Sequence, residues 1–345
     1  MVSFFAGCGG LDLGMLGGFS YKDISLAKTQ FDIIAAYDNN EKCIETYTKN
    51  IGDHIKHQDL ARVNPAEMPY ADVLIGGFPC QDFSSCGPKV GLDSERGRLY
   101  QAMVAYMRGH HPKVVVAENV PHLAKMDNGN VLESIVADLE AVGYRFELWV
   151  LEAPEYGIPQ NRTRLFFIGV REDISGMPVK PIPTHRQNYR SIEWAIHDLI
   201  SVADESIPNQ SQYFKASKAK KGNGQGDEQN KVGQPSYTIR ANAKSRVQFH
   251  YELPRRLTVR ECARLQTFPD DFVFPHAATT SVMQIGNAVP PLLANQVACS
   301  VATFLQSIEQ GVGNPDGHEQ SRHHPNTSNT ANIGGDSIRA VAVSC

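Results

Sequence analysis

Short apolar strands alternate with helical stretches through residues 1–175, and this alternation restricts the possible folds more than any other feature. Such alternation predicts an α/β fold with a parallel, doubly wound sheet and helices on both of its faces. The predicted strands are Val2–Phe5, Phe31–Tyr37, Ala71–Gly76, Lys113–Ala117, Phe146–Glu152 and Leu165–Val170. The predicted helices between them are Glu41–Asn50, Arg98–Gly109 and Val131–Val142.

The regular pattern ends after residue 175, which predicts a small, irregular second domain over residues 176–283. Prolines punctuate this interval, and it contains one predicted helix, Ile192–Ile200, and two short strand-like pieces, Tyr237–Arg240 and Arg246–Tyr251.

The end of the chain contains two more predicted helices. Thr258 is a typical helix cap, so a helix is expected over Val259–Gln266. Pro290–Ile308 predicts a long amphipathic helix, and residues 284–310 are therefore expected to return to the first domain. The polar residues 311–345 predict a disordered tail.

Basic residues are concentrated in one interval, from Gln210 to Leu265. Twelve Lys and Arg against four Asp and Glu give this interval a charge of +8, whereas the other 21 basic and 33 acidic residues sum to −12. The net charge of −4, taken alone, argues against a nucleic-acid partner and conceals this separation. A basic face on an acidic body is typical of proteins that bind polyanions, although a solvated loop would give the same count.

The composition, 41% hydrophobic and 20% charged, is that of a soluble globular protein. No apolar run approaches the ~18 residues of a membrane span, and no basic leader precedes Val2, so we expect neither a membrane nor export. The seven cysteines are odd in number and scattered. This argues against a disulfide framework or a metal site and favours a reducing cytoplasm.

A glycine turn follows the first predicted strand, at Phe5-Ala6-Gly7-Cys8-Gly9-Gly10. Glycines let a backbone approach a ligand closely, and the N–H groups of the helix that follows would face that ligand. Asp38 ends the second predicted strand, where doubly wound folds place an acid that binds ribose hydroxyls. These features fit NAD, FAD or S-adenosylmethionine about equally, and a structural turn is also compatible with them.

A second motif, Gly76-Gly77-Phe78-Pro79-Cys80, follows another strand. Pro79 stiffens the turn and places Cys80 at the carboxyl edge of the sheet, where such folds bind ligands. A thiolate there is a candidate nucleophile, whereas a buried structural thiol is the ordinary alternative.

Charged side chains lie at the ends of two further predicted strands. Glu118 follows the strand that starts at Lys113, so its carboxylate is expected at the same edge as Cys80. Arg162 and Arg164, two residues apart, point the same way and can serve one oxygen-rich ligand. Each residue type also has a structural alternative. Glu118 could be a helix-cap partner, and the two arginines could form a surface salt bridge.

In this order and spacing, the motifs resemble those of the C5-cytosine DNA methyltransferases of bacterial restriction–modification systems. The likeness continues through Arg256–Arg264, Phe268-Pro269-Asp270 and Gln284–Pro290, and it covers the chain from Val2 to about Ile308. It implies a Rossmann-like S-adenosylmethionine-dependent methyltransferase domain with a smaller, irregular, β-containing target-recognition domain.

The resemblance also implies roles for single residues. Cys80 would attack C6 of a cytosine flipped out of duplex DNA, Glu118 would hold N3 of the base, and Arg164 would contact its O2. Arg162 would organise the Cys80 loop. The implied cofactor is S-adenosylmethionine, with Asp38 at the ribose and Asp59 at the adenine amino group. The other implied cofactor residues are Phe5, Gly7, Gly9, Gly10, Leu60, Pro79, Leu99, Asn287, Ala288 and Val289.

The implied partner is double-stranded DNA, read by the variable interval between Gly169 and Arg256. Arginine pairs well with guanine edges, whereas clustered lysines grip phosphates. The candidate DNA contacts are Gln81, Ser84, Lys215, Lys218, Lys220, Lys221, Arg240, Lys244 and Arg246. Arg264 matches a family position that orders the second domain. Asn39 departs from the family, many members of which carry an aromatic or bulky apolar residue at this position.

Three other functions compete with this one. The tRNA-methylating branch shares the catalytic motifs, but its typical Cys-Phe-Thr tripeptide is absent. A nicotinamide-dependent oxidoreductase would leave Pro79-Cys80 and the paired arginines unexplained, and a catalytically dead DNA-binding regulator would not need Cys80, Glu118 and Arg164 together. The expected setting is a bacterial or archaeal cytoplasm, where a monomer would act separately from any cognate endonuclease.

Overall fold

A seven-stranded sheet forms the centre of the protein in a computed structural model, which describes residues 1–79, 99–211, 228–241 and 248–311. Its strands, in chain order, are β1 (Val2–Phe4), β4 (Ala35–Asp38), β5 (Ile55–His57), β6 (Val73–Gly76), β7 (Val114–Asn119), β8 (Tyr144–Glu152) and β9 (Thr163–Arg171). A small hairpin, β2 (Ser20–Tyr21) and β3 (Ile24–Ser25), follows the first helix. The order across the sheet is β5-β4-β1-β6-β7-β9-β8, a doubly wound, Rossmann-like arrangement that confirms the predicted fold class.

One strand runs against the others, which corrects the expectation of a parallel sheet. The neighbouring pairs from β5 to β7 are parallel, but β9 lies antiparallel between β7 and β8. Because β9 is reversed, its first residues lie at the edge where β6 and β7 end. This reversal brings the residues around Arg164 next to Glu118.

Helices cover both faces of the sheet. The α-helices among the described residues are α1 (Gly10–Leu16), α2 (Glu41–Asn50), α3 (Tyr100–His110), α4 (Asn130–Glu140), α5 (Ile192–Ile196), α6 (Val259–Leu265), α7 (Ala278–Asn287) and α8 (Pro291–Glu309). Side chains alternate along β7, so Val114 and Val116 belong to the core beneath α1 and α8, whereas Val115 and Ala117 belong to the core beneath α3 and α4.

A third apolar cluster lies in the carboxyl-terminal half of the chain. Ile192 and Leu199 pack there with Val259 and Leu265 of α6 and with Ile285 of α7. Two short strands, β10 (Glu228–Gln229) and β11 (Gln248–Phe249), pair in this half of the molecule. Irregular structure with short strands was expected here.

Several predicted boundaries were wrong. The second strand begins at Ala35 rather than Phe31, and Tyr237–Arg240 forms no strand, although Ser236 makes an isolated bridge to Gln160. The start of helix α7 at Ala278 was not predicted, because the sequence there offers no typical cap, and no side-chain hydrogen bond caps the helix.

By length and composition alone, Ala278–Glu309 could cross a membrane, and it is the one stretch of this kind among the described residues. The prediction from the sequence overlooked it. It consists of α7 and α8 joined at a turn, and 78% of its most apolar window is buried inside the protein. Burial of this kind is typical of a core helix.

Candidate active site

A cavity of about 740 Å³ lies at the carboxyl edge of β1, β4, β6 and β7. Its volume is in the usual range for a small-molecule site. The cavity wall brings together thirteen of the residues predicted from the sequence. They are Phe5, Gly7, Gly10, Asp38, Pro79, Leu99, Glu118, Arg162, Arg164, Arg240, Asn287, Ala288 and Val289.

The glycine turn after β1 forms one wall of this cavity. Phe5 has a φ of 55°, a left-handed conformation that is uncommon for a residue with a side chain. Gly9 has a φ of 90° and caps α1, and a Cβ there would lie 2.1 Å from Ile51 Cδ1. The positive φ favours glycine at this position, and the absence of a side chain leaves room for Ile51. Gly9 is not part of the described cavity wall, where it was predicted.

Asp38 holds the turn in place from the end of β4. Its Oδ2 accepts a hydrogen bond from the Gly7 N–H at 2.8 Å, and its Oδ1 accepts one from the Asn40 N–H at 2.9 Å. Burial raises the pKa of this carboxyl above its usual value, although these hydrogen bonds oppose the shift. Asn39 lines the cavity beside it, and its carbonyl oxygen lies 3.0 Å from His57 Nε2.

Glu118 and Arg164 form a buried ion pair inside the cavity. Arg164 Nε lies 2.6 Å from Glu118 Oε1, and each residue is 8% exposed. The register of β7 and β9 explains the contact, because Glu118 lies opposite Phe166 and Arg164 is two residues before Phe166. Arg164 therefore projects from the same face of the sheet as Glu118.

Burial raises the pKa of Glu118 above its usual range, and the charges of Arg164 and Arg162 reduce the shift without cancelling it. Desolvation disfavours the charged carboxylate, so its proton is retained to a higher pH than in water. Glu118 can therefore donate a hydrogen bond to a ligand near neutral pH more readily than an exposed glutamate can.

The segment that leads to Cys80 runs along the same wall. Gly77 has no side chain, and a Cβ there would lie 3.1 Å from Glu118 Oε2. Asn119 Nδ2 donates to the Phe78 carbonyl oxygen at 3.0 Å, which ties this segment to β7. Pro79 is the last residue described before a gap, so Cys80 lies outside the described residues, as do the predicted DNA contacts Gln81 and Ser84.

Arg162 is almost completely buried and binds backbone carbonyl groups. Its Nη1 donates to Ile239 at 3.0 Å, and its Nη2 donates to Gly286 at 2.8 Å and to Ala288 at 2.9 Å. Among the described residues, Arg162 therefore organises the cavity wall. That it also organises the loop of Cys80 stays a prediction.

Two predicted cofactor residues lie elsewhere. Asp59 pairs with Arg62 at 3.3 Å, Leu60 is buried in the core beneath α3, and neither belongs to the described cavity wall. Of the predicted DNA contacts, Arg240 lines the cavity. The others, Lys215, Lys218, Lys220, Lys221, Lys244 and Arg246, lie outside the described residues.

Some cavity residues were not assigned to the site from the sequence. Cys43, at the start of α2, and Met283, on α7, both line the cavity. Burial raises the pKa of the Cys43 thiol to about 12, which keeps it protonated and unreactive. Only their closeness in sequence to the cavity motifs could have indicated that Cys43 and Met283 line the cavity, because a lone cysteine or methionine does not by itself indicate a binding site.

Arg264 makes the contacts expected of an ordering residue. It pairs with Asp270 at 2.6 Å and with Asp198 at 2.7 Å, and its backbone carbonyl accepts a hydrogen bond from the Tyr21 hydroxyl at 2.6 Å. These contacts connect α6 with the hairpin that follows α1 and with the 3₁₀ turn after α5.

Comparison with known proteins gives consistent matches along the chain. Residues 1–302 match the family model of C-5 cytosine-specific DNA methylases. The type II methyltransferase M.NgoFVII of Neisseria gonorrhoeae is 34% identical, with 93% of this chain and 90% of that protein covered. M.BspRI of Lysinibacillus sphaericus is 33% identical, with 88% and 81% covered.

A solved structure from an Escherichia coli prophage superposes with a TM-score of 0.66, covering 88% of this chain and 99% of that one at 22% identity. At that identity the likeness shows the fold alone. The family match extends over the glycine turn, Glu118, the two arginines and the turn at Asn287 that meet in the cavity, and the chain therefore belongs to the family of C5-cytosine-specific DNA methyltransferases.

Proposed function

We propose that this DNA methyltransferase is the modification enzyme of a type II restriction–modification system. It transfers a methyl group from S-adenosylmethionine to C5 of a cytosine in a short duplex target. The names of the type II relatives support this biological setting. The observation that carries the chemistry is the Glu118–Arg164 pair, which lies in the same cavity as Asp38 and Pro79.

The cavity wall fits S-adenosylmethionine, which supplies a methyl group bound to a sulfonium. Each Asp38 oxygen accepts one backbone N–H, and a carboxylate retains further lone pairs that can accept ribose hydroxyls. Phe5 offers an aromatic ring on the same wall. At Gly10 a Cβ would lie 2.5 Å from the Val289 carbonyl oxygen, so this glycine keeps the two sides of the site close together.

Cys80 is the proposed nucleophile, because in the sequence it directly follows Pro79, which lines the cavity. Its thiolate forms a bond to C6 of the cytosine, which places electron density on C5. After C5 receives the methyl group, the C5 proton leaves to a base. The bond between sulfur and C6 then breaks and returns the thiolate.

Glu118 and Arg164 hold the base during this sequence. Protonated Glu118 donates to N3 and stabilises the charge that builds up on the ring when Cys80 attacks. Arg164 donates to O2 of the base. The target base must leave the helix to reach this depth, as other base-modifying enzymes require.

The remaining predicted features belong to the same proposal. Residues 176–283 act as the target-recognition domain, with the lysines at 215–221 on phosphates and Arg240, Lys244 and Arg246 nearer to the bases. Asp59 and Leu60, although outside the described cavity wall, are proposed to extend the cofactor site on the adenine side. The enzyme acts as a monomer in the cytoplasm, separately from a cognate endonuclease.

Covalent trapping tests the mechanism. Duplex DNA with 5-fluorocytosine at the target should form a stable adduct with the wild-type enzyme and cofactor, because fluorine cannot leave C5 as the proton does. Cys80→Ser should form no adduct, and Cys86→Ala, on the same part of the chain, should form it normally. Normal methylation by Cys80→Ala would rule out the proposed nucleophile.

Bisulfite sequencing of DNA from a host that expresses the chain reports activity and target together. A single short motif, methylated at one cytosine, is expected. The same enzyme should transfer no methyl group to tRNA, and preferential tRNA methylation would favour the other branch of the superfamily.

A further inference from the structure

Gln160 is completely buried next to the active-site cavity, and both ends of its side chain are hydrogen-bonded. Its Oε1 accepts a hydrogen bond from the Ile239 N–H at 2.9 Å. Its Nε2 donates to the Leu265 carbonyl oxygen at 2.9 Å and to Gln266 Oε1 at 2.6 Å. One side chain therefore connects a residue before β9 with two distant parts of the chain.

The first part is residues 236–241, here called the recognition segment, of which Thr238, Ile239, Arg240 and Ala241 line the cavity. The second part, Leu265 and Gln266, leads to the turn at residues 286–289, all of which line the cavity as well. Gln266 continues the connection to this turn, because its Nε2 donates to the Ala288 carbonyl oxygen at 2.5 Å.

Arg162 makes the same connection by a second route, through its hydrogen bonds to the carbonyls of Ile239, Gly286 and Ala288. The N–H of Ile239 is thus held by Gln160 and its carbonyl oxygen by Arg162. The backbone next to Arg240 is therefore fixed in position and orientation.

The recognition segment and the turn also touch directly. A Cβ at Gly286 would lie 2.4 Å from the Arg240 carbonyl carbon and 2.5 Å from the Ala241 nitrogen. This close approach leaves no room for either wall to shift without the other unless the hydrogen bonds through Gln160 and Arg162 break.

We infer that Gln160 is a positioning residue that fixes the recognition segment, and with it Arg240, against the 286–289 turn. Gln160 itself lies outside the described cavity wall, so it acts through Ile239 and Gln266. This role rests on the proposed function, in which the recognition segment faces DNA and the turn faces the methyl donor. Gln160 holds the recognition segment, which faces DNA, whereas Gln266 holds the turn, which faces the methyl donor.

Two isosteric variants separate the two sides. Gln160→Met removes both hydrogen-bonding ends and leaves the Ile239 N–H without its partner, whereas Gln266→Met removes the hydrogen bond to Ala288 and leaves Ile239 with Gln160. Each protein is assayed on unmethylated duplex DNA that carries the wild-type target. The measurements are KM for DNA, kcat, the Kd of S-adenosylmethionine for the free enzyme, and the thermal midpoint.

Gln160→Met should raise KM for DNA about tenfold, as expected when a buried donor loses its partner, while the Kd of S-adenosylmethionine changes less than about twofold. Gln266→Met should instead raise the Kd of S-adenosylmethionine about tenfold and change KM for DNA less than about twofold. An unchanged KM for DNA in a folded Gln160→Met protein, or equal changes on both sides in both variants, would overturn the assignment. Absence of methylation by the wild type would instead count against the proposed function.

A third variant keeps the test valid if Gln160→Met fails to fold. Gln160→Glu retains an oxygen that can accept from the Ile239 N–H but loses the donor to Gln266. KM for DNA should stay within about threefold of wild type in this variant, because the oxygen that accepts from the Ile239 N–H is retained. A tenfold rise in KM for DNA would contradict the role of the Ile239 contact.

Discussion

At the scale of single residues, burial and charge act against each other in the cavity. Glu118 is buried beside Arg164, yet desolvation raises its pKa more than the two arginines lower it. Asp12, below the glycine turn, is completely buried and accepts a hydrogen bond from the Tyr47 hydroxyl at 2.9 Å. Desolvation raises its pKa to about 6. Neither shift could be predicted from the sequence, because each depends on what the fold packs around the carboxyl group.

Glu118→Gln should lower kcat by roughly 100-fold or more, because the hydrogen that Glu118 donates to N3 is lost as a source of acid catalysis. Since the pKa of Glu118 is raised, the protonated form decreases only as the pH rises through this raised value. The wild-type rate should fall over that range, and the variant should lack this decline. Rate–pH profiles provide the measurement.

The exposed Glu140→Gln at the end of α4 provides a control for this change, and it should keep the wild-type profile. Binding of S-adenosylmethionine should be unaffected in both variants. A Glu118→Gln enzyme with normal turnover would remove Glu118 from the mechanism.

Asp12→Asn should stabilise the protein at neutral pH. The folded pKa of about 6 lies above the ordinary 3.8, so the folded state binds more protons, and wild-type stability is lost as the pH rises from about 4 to about 6. Asparagine avoids a buried charge and keeps an oxygen for the Tyr47 hydroxyl. The variant should gain up to about 3 kcal/mol in free energy of unfolding.

Urea unfolding at pH 5 and at pH 8 checks this prediction. The gain in free energy of unfolding from Asp12→Asn should be largest at pH 8 and smaller at pH 5. At pH 5 most of the folded wild-type protein still has a protonated Asp12, so the buried charge destabilises it less. An advantage that is equal at the two pH values would show that it does not come from the titration of Asp12.

At the scale of elements, local signals located most helices and strands but not their directions or partners. The predicted helix Glu41–Asn50 is confirmed at both ends. The Asn40 side chain fixes its start by accepting from the N–H groups of Lys42 and Cys43. The direction of β9 could not be predicted, since a strand reads the same in either orientation. Its reversal is what places Arg164 beside Glu118.

Helix α6 depends on its amino-terminal cap. The Thr258 hydroxyl accepts from the Glu261 N–H, and the Glu261 carboxylate accepts from the Thr258 N–H. Thr258→Ala should therefore lower the free energy of unfolding by about 1 kcal/mol. Thr303→Ala, on the exposed side of α8, should change it by less than about 0.5 kcal/mol, and equal losses in the two variants would contradict the role of the cap.

At the scale of the whole molecule, charge separation divides a body of −12 from an interval of +8. Proteins that neutralise DNA phosphates release counterions, so their affinity falls with salt in proportion to the number of contacts. The four lysines at 215–221 are proposed to bind phosphates. Since Arg240 lines the cavity, the basic interval reaches the catalytic centre on at least one side.

Replacing Lys215, Lys218, Lys220 and Lys221 with alanine should weaken DNA binding and flatten its salt dependence. Each lost phosphate contact reduces the slope of log K against log salt by about 0.9. Fluorescence anisotropy with a labelled duplex at several salt concentrations measures this slope.

Lys28→Ala and Lys113→Ala provide the control, because both lysines lie near the opposite edge of the sheet. Lys113 immediately precedes β7 and pairs with Asp72, and Lys28 pairs with Asp32 next to the amino terminus. These changes should leave the slope unaltered. An equal effect of both sets would mean that net charge, rather than a defined contact face, controls binding.

The sequence by itself determined the α/β class and the family and supplied the proposed catalytic groups, because these depend on local periodicity and on short motifs. Only the tertiary structure decided how those groups meet. The reversed β9 pairs Glu118 with Arg164, and Arg162 was found on the carbonyls of the cavity wall. Gln160 acquired a role only when Ile239 and Gln266 came within hydrogen-bonding distance of it. Contacts between residues far apart in the chain depend on packing, which no local pattern records.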